Sequence, residues 1–167
     1  MKKLLLGAAM AAALMWSAMM PSAWAKNLAV PTDDPAVTLA VPNTWTMQEI
    51  DFGYSAVSPD KDVVFYVEYA AGKRVKAMTD LNKEWLKENS IKTIGEPQEL
   101  ELDFNGVKGS VLKFKAKDDN GPTNVNFAFI PAGKERVIML TIWGSDEEQA
   151  KHGKDIDSIL ASIKPIN

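Results

Sequence analysis

Two aspartate clusters carry the residue types best suited to holding a hard cation. Asp60 and Asp62 flank Lys61, and Asp118-Asp119 precede Asn120-Gly121. Carboxylate and amide oxygens gathered in a tight loop are calcium chemistry. The twelve-residue calcium-loop template fails, however. Counted from Asp118, Pro122 and Thr123 occupy the fifth and sixth positions, where a ligand and a glycine belong, and Phe129 occupies the twelfth. Lys61 between the first two aspartates repels a cation. Asp, Asn and Gly also favour turns for local backbone reasons, so the turn reading leads. No metal site is assigned, and Asp60, Asp62, Asp118 and Asp119 stand as the candidates should an ion be bound.

Nucleophilic catalysis has little to work with. The chain holds one histidine, His152, so any Ser-His-Asp arrangement must use it, and no G-x-S-x-G elbow supplies the serine. His152 lies on the apolar stripe of the last predicted helix and reads as structural. Without a second histidine or a cysteine, a transition-metal site would have to recruit carboxylates from afar. Neither nucleotide-loop motif is present, G-x-x-x-x-G-K-[ST] or G-x-G-x-x-G. A carboxylate pair for hydrolysis is not signalled by any spacing. No catalytic residue and no cofactor is therefore expected. Among the aromatics, Trp85 reads as core. Trp45, Trp143 and Tyr54 are candidates for a ligand or partner rim, although sealing the edges of the core is the leading role for them.

The elements that must position these residues begin after a leader. Residues 1–25 open with Lys2-Lys3, run apolar from Leu4 to Met20, and end in Ala23-Trp24-Ala25. That is the pattern of a cleaved signal peptide, cut after Ala25. The expected product is exported, periplasmic or secreted, without a stable membrane anchor. With 25% charged and 46% hydrophobic residues the composition suits one globular domain. The formal charge of −3 becomes more negative once Lys2 and Lys3 are removed, which argues against nucleic acid as a partner. Zero cysteines exclude disulfides, thiolate metal sites and thiol chemistry.

Residues 26–35 contain Pro31, Asp33, Asp34 and Pro35 and read as a loosely held, extended lead-in to a single domain over 36–167. Alternating stretches follow: VTLAV (37–41), TMQEI (46–50) and YSAVS (54–58). Then comes DVVFYVEYA (62–70), with Val63, Phe65, Val67 and Tyr69 on one face and Val64 and Tyr66 on the other. A strand apolar on both faces needs cover on both. A helix is predicted over about 74–89, its buried stripe formed by Val75, Met78, Leu81, Trp85 and Leu86. QELELDF and VLKFKAK form a hairpin. Sharing one face between Leu100, Leu102, Leu112 and Phe114 favours a three-residue turn, Phe104 to Gly106, pairing Leu100 with Ser110 and Leu102 with Lys108, over a two-residue Asn105-Gly106 loop pairing Leu100 with Val111; a bulge near Gly109 would do the same. Two further strands, VNFAFIP and ERVIMLTIW, precede a helix starting near Asp146. Ser145 and Glu148 spell a capping box, and Ile156, Ile159, Leu160 and Ile163 give the stripe. The expected fold class is α+β: a single antiparallel sheet of about seven strands flanked by helices on both faces, an α/β/α sandwich.

This order of elements resembles the PsbP-like fold of photosystem accessory proteins, Mog-type Ran-binding proteins and DcrB-type bacterial envelope proteins. The residues that carry the resemblance are VTLAVPNTWT, AVSPDKDVVFYVEYA and WGSDEEQAKHGKDIDSILASIK, within a span of about Ala36 to Ile166. The export signal brings the chain nearest to the DcrB-type group, whose lipidation cysteine it lacks. The resemblance implies a binding or assembly role and carries over no catalytic residues. The leading expectation is a non-enzymatic accessory protein of the cell envelope, binding a protein or envelope component. A periplasmic small-molecule or calcium-binding protein is the alternative, and a hydrolase with an unrecognised carboxylate site the second alternative.

Overall fold

The computed structural model describes residues 25–166. The leader and its cleavage signal lie outside the described residues, except for Ala25, which opens the first strand. Ten strands form two antiparallel sheets. Seven strands make the larger, in the spatial order β3 (Thr46–Ile50), β4 (Gly53–Val57), β5 (Val64–Ala71), β9 (Arg136–Gly144), β8 (Gly121–Ala132), β7 (Val107–Asp118) and β6 (Lys92–Phe104). The smaller joins β1 (Ala25–Val30), β2 (Val37–Pro42) and the short C-terminal β10 (Lys164–Pro165).

The smaller sheet corrects the expectation of a single one. Val37–Pro42 leaves the large sheet to pair with β1 on one side and β10 on the other. The lead-in is extended but not loose. Leu28 pairs with Leu39, Val30 is fully buried, and Arg136 donates to the carbonyls of Asp34 and Pro35. A six-residue strand half made of exposed residues shows too little periodicity to be recognised alone.

Strand β5 is apolar on both faces, as its sequence predicts. Phe65 and Val67 join a cluster with Ile138 and Leu140 of β9, Val37, Leu39 and Val41 of β2, and Ile159 of helix α3 (Gly153–Ser162). Ala70 joins a second cluster with Met139, Val125, Phe127 and Met78 of helix α1 (Arg74–Glu88). Covering both faces removes most of the apolar area of β5 and β9 from water, at about 25 cal/mol per Å².

Helix α1 has the expected limits, but its stripe is rotated. Met78 is fully buried while Leu81 is 42% exposed, and Asn82 takes the inward place instead. Positions 75, 78, 82 and 85 follow the helical repeat; Leu81 sits about 100° away from Asn82. The last helix is split. After the predicted capping box, Ser145 Oγ accepting from Glu148 N and Glu148 Oε2 from Ser145 N, helix α2 (Asp146–Lys151) ends at His152 and α3 begins.

The β6–β7 turn is shorter than expected. Leu100 pairs with Val111, Leu102 with Gly109 and Phe104 with Val107, leaving Asn105-Gly106 as a two-residue loop. Both residues have positive φ, 53° and 92°, as a type I′ turn requires. Asn105 Nδ2 donates to the carbonyls of Ala161 and Ile163, tying the turn to the end of α3. The shared-face premise fails because this hairpin too is used on both faces. Val111 packs into the first cluster, whereas Phe114 and Ala116 pack into the second. Gly109 has no room for a side chain: a Cβ there would lie 3.0 Å from Phe104 Cε2 and from Ile130 Cγ1. Across the hairpin Glu101 of β6 pairs with Lys108 of β7 at 2.7 Å.

Candidate functional site

An open groove of about 450 Å³ lies between α1 and the β3–β4–β5 end of the large sheet. One wall is the run Gln48–Phe52, from β3 and its turn into β4; the other is Leu81, Asn82, Trp85 and Glu88 of α1; Tyr66 and Glu68 of β5 also line it. Local sequence explains the shape. Gly53 pairs with Glu68, and a Cβ at Gly53 would lie 2.1 Å from Val67 O, so only glycine lets the β3–β4 turn close over β5. Phe52 is thereby held against the strand, its carbonyl accepting from Tyr69 N at 3.0 Å.

Glu68 is the chemically distinctive residue. It is 5% exposed in the middle of β5, and Asn82 Nδ2 donates to its Oε2 at 2.9 Å. Burial pushes its pKa up to about 7, against the opposing pull of the Asn82 hydrogen bond. Tyr66 packs edge-on to Trp85 with ring centroids 5.2 Å apart, and Trp85 packs edge-on to Trp143 at 5.6 Å. Burial raises the Tyr66 phenol as well. Arg74 stacks over the Phe52 ring at 4.8 Å but does not line the groove. The groove sets the carboxylates of Glu49, Asp51, Glu68 and Glu88 beside aromatic and aliphatic side chains, an arrangement that can attract positive charge.

The residues singled out in the sequence fall elsewhere. Asp60 and Asp62 meet His152, their ligand atoms within 4.8 Å of one another. Asp60 Oδ1 accepts from Ser58 Oγ at 2.7 Å and from Asp62 N at 3.2 Å, as a turn carboxylate does. His152 Nε2 lies 2.8 Å from Asp60 Oδ2. Lys151 pairs with both aspartates, and its hydrogen bond is the largest cause holding the Asp60 carboxyl far below the usual range. Asp60, Asp62 and His152 are thus the residues that could hold an ion, but the Lys151 ammonium already pairs with both carboxylates. Asp118 caps its own turn, accepting from Asn120 N at 2.8 Å and Gly121 N at 3.1 Å. A small polar cavity of about 220 Å³ brings Asp62, Asp118 and Trp143 together, away from the groove. Its carboxylates are committed to the turn, to Lys151 and, through Glu148, to the helix cap.

Trp45 and Trp143 do not meet. Trp45 is 2% exposed in the first core cluster, donating from Nε1 to Asp155 at 2.9 Å, with the His152 ring edge-on at 6.0 Å. Trp143 packs against the second cluster, and Tyr54 against the first. Sequence reasoning missed Glu68 and Asn82. Their signal was a glutamate inside a run apolar on both faces and an asparagine at a helical stripe position.

Two solved structures set the fold in context. The solution structure of cyanobacterial PsbP from Synechocystis superposes with a TM-score of 0.58 at 10% identity, over 88% of this chain and 95% of that one. The fold is PsbP-like. LpqN of Mycobacterium tuberculosis, described as involved in cell envelope biogenesis, matches at a TM-score of 0.56 and 14% identity, over 86% of this chain and 91% of its own. No family model and no curated protein matches the sequence. Within the PsbP-like frame the groove sits at one end of the large sheet, where β3 is the terminal strand. Among the described residues no helix is long and apolar enough to cross a membrane.

Proposed function

We propose that the protein is exported and serves as a non-enzymatic accessory protein of the cell envelope, binding a partner polypeptide in the groove between α1 and the β3 edge. The observation that carries this reading is the groove itself, a concavity lined by Phe52, Tyr66 and Trp85 and bordered by an unpaired strand edge. Extended peptides add to such edges through main-chain hydrogen bonds. The leader at residues 1–25 supports export, and the PsbP-like fold with an envelope protein among its neighbours supports the setting. The chemistry of the groove supports recognition over turnover: its walls offer carboxylates and rings but no nucleophile with an adjacent base.

A photo-crosslinking residue at Gln48 tests this in cells. Discrete adducts with envelope polypeptides are expected from Gln48 and not from Asp119 on the distant β7–β8 turn, in a mature chain that begins at Lys26. Recovery of the uncut chain in the cytoplasm, or equal labelling from both positions, would overturn the reading.

A further inference from the structure

Glu68 and Asp60 show how differently this protein treats two carboxylates. Asp60 lies in an exposed turn and receives Lys151 and His152 as partners. Glu68 is buried, yet among the described residues no lysine or arginine pairs with it; Asn82 is its one hydrogen-bond donor. Desolvating a carboxylate without a countercharge is costly, and a cation arriving from outside would offset that cost.

The surroundings select the same sign. Glu49, Asp51 and Glu88 line the groove with Glu68, and none of its eleven lining residues is basic. The whole chain carries 19 basic and 22 acidic side chains, so this segregation does not follow from composition. Tyr66 and Trp85 line the groove alongside these acids, and Leu81 stands 42% exposed at the wall. Lysine and arginine bury their aliphatic stems along such surfaces while the charged head reaches a polar group, and ring faces attract the head. An isolated inorganic cation would leave the apolar wall uncovered.

We propose that the groove takes a lysine or arginine side chain from a partner polypeptide lying along the free edge of β3, with the cationic head against Glu68 and the stem over Trp85 and Leu81. This rests on the groove being the partner-binding site. A polypeptide is favoured over a free amine because Gln48 to Phe52 run consecutively along the wall, and β3 presents an unpaired ladder there.

Titration of the mature chain by calorimetry tests the proposal with four probes: a capped, extended peptide with one central lysine, its norleucine and glutamate counterparts, and butylamine. The lysine peptide is expected to bind at least about tenfold more tightly than either counterpart, as a desolvated charge contact requires. In Glu68→Gln that preference should shrink at least about threefold. Glu49→Gln with Glu88→Gln, both on exposed positions, keeps the core untouched and should weaken the lysine peptide several-fold. Equal binding of the lysine and norleucine peptides, no binding of either, or an undiminished preference in folded Glu68→Gln would overturn the proposal. Butylamine binding as tightly as the peptide would overturn the polypeptide occupant. Crosslinks from Gln48 that survive Glu68→Gln at full yield would sink the cation contact while leaving the groove as the partner site.

Discussion

Asn82 on α1 reaches across the groove floor to Glu68 on β5, its Nδ2 donating to the carboxylate at 2.9 Å and to the Met78 carbonyl at 3.0 Å. This one side chain joins the helix to the central sheet and supplies a hydrogen bond to a buried carboxylate that no lysine or arginine pairs with among the described residues. The carboxylate, held at a pKa of about 7, shares the groove with Asn82 and Glu88 from α1, Tyr66 from its own strand, Glu49 from β3 and Asp51 from the β3–β4 turn.

The sign of the pH effect follows from the raised value. Below the ordinary value of 4.5 Glu68 is neutral in both states and contributes nothing. Between 4.5 and about 7 the unfolded chain ionises first, so folding loses stability as pH rises, and the full penalty stands above that range. Glu68→Gln removes the charge and keeps an acceptor for Asn82. The variant should be more stable than the parent by about 2–3 kcal/mol at pH 8, with the gap closing towards pH 4. Urea unfolding across that range measures it, and a variant less stable than the parent at pH 8 would contradict the assignment.

Removing the donor works in the opposite direction. Asn82→Ala leaves the buried carboxylate without its hydrogen bond and should cost about 1–3 kcal/mol at pH 8. In the Glu68→Gln background the loss should be smaller, which a double-mutant cycle reads directly. Additive effects would show that the two residues are not coupled.

The two-faced strands were readable from alternation alone. Val63, Phe65 and Val67 against Val64 and Tyr66 demanded cover on both sides, and Ser145 with Glu148 marked the start of α2 correctly. What escaped has a common physical cause: it depends on partners distant in sequence. The Asn105-Gly106 turn is anchored by carbonyls 56 and 58 residues away, and alternation cannot choose a register when both faces are covered. Glu68 was visible as a charge in an apolar run, but its meaning required Asn82 from the next element. The groove was invisible because its walls come from β3, β5 and α1 together.

The turn gives a stability test. Asn105→Ala loses the contact to the end of α3 and places alanine at a φ of 53°, which should cost about 1–2 kcal/mol. Gly109→Ala forces a Cβ against Phe104 and Ile130 and should cost about 1–3 kcal/mol. Denaturant midpoints check both. An unchanged midpoint for Gly109→Ala would refute the two-residue register.

The aspartate turns yield a prediction about ions. Lys151 already sits between Asp60 and Asp62, so millimolar calcium should leave the melting midpoint unchanged, whereas ligand at 100 times its dissociation constant would add about 2.7 kcal/mol. Because the Asp60 carboxyl is held low, its pairing stabilises the protein above the ordinary carboxylate value and is lost progressively as pH falls from there through the lower folded-state value. Asp60→Asn should therefore melt earlier than the parent at pH 7 and converge with it in strong acid. A calcium-dependent rise in the parent would restore the metal reading.

The central claim is that partners dock in the α1–β3 groove, and amide chemical-shift mapping with the lysine peptide addresses it most directly. Perturbations should cluster at Gln48–Phe52, Tyr66–Glu68 and Leu81–Glu88. Shifts centred on Trp45 and His152, or along the opposite sheet edge at β6, would contradict it.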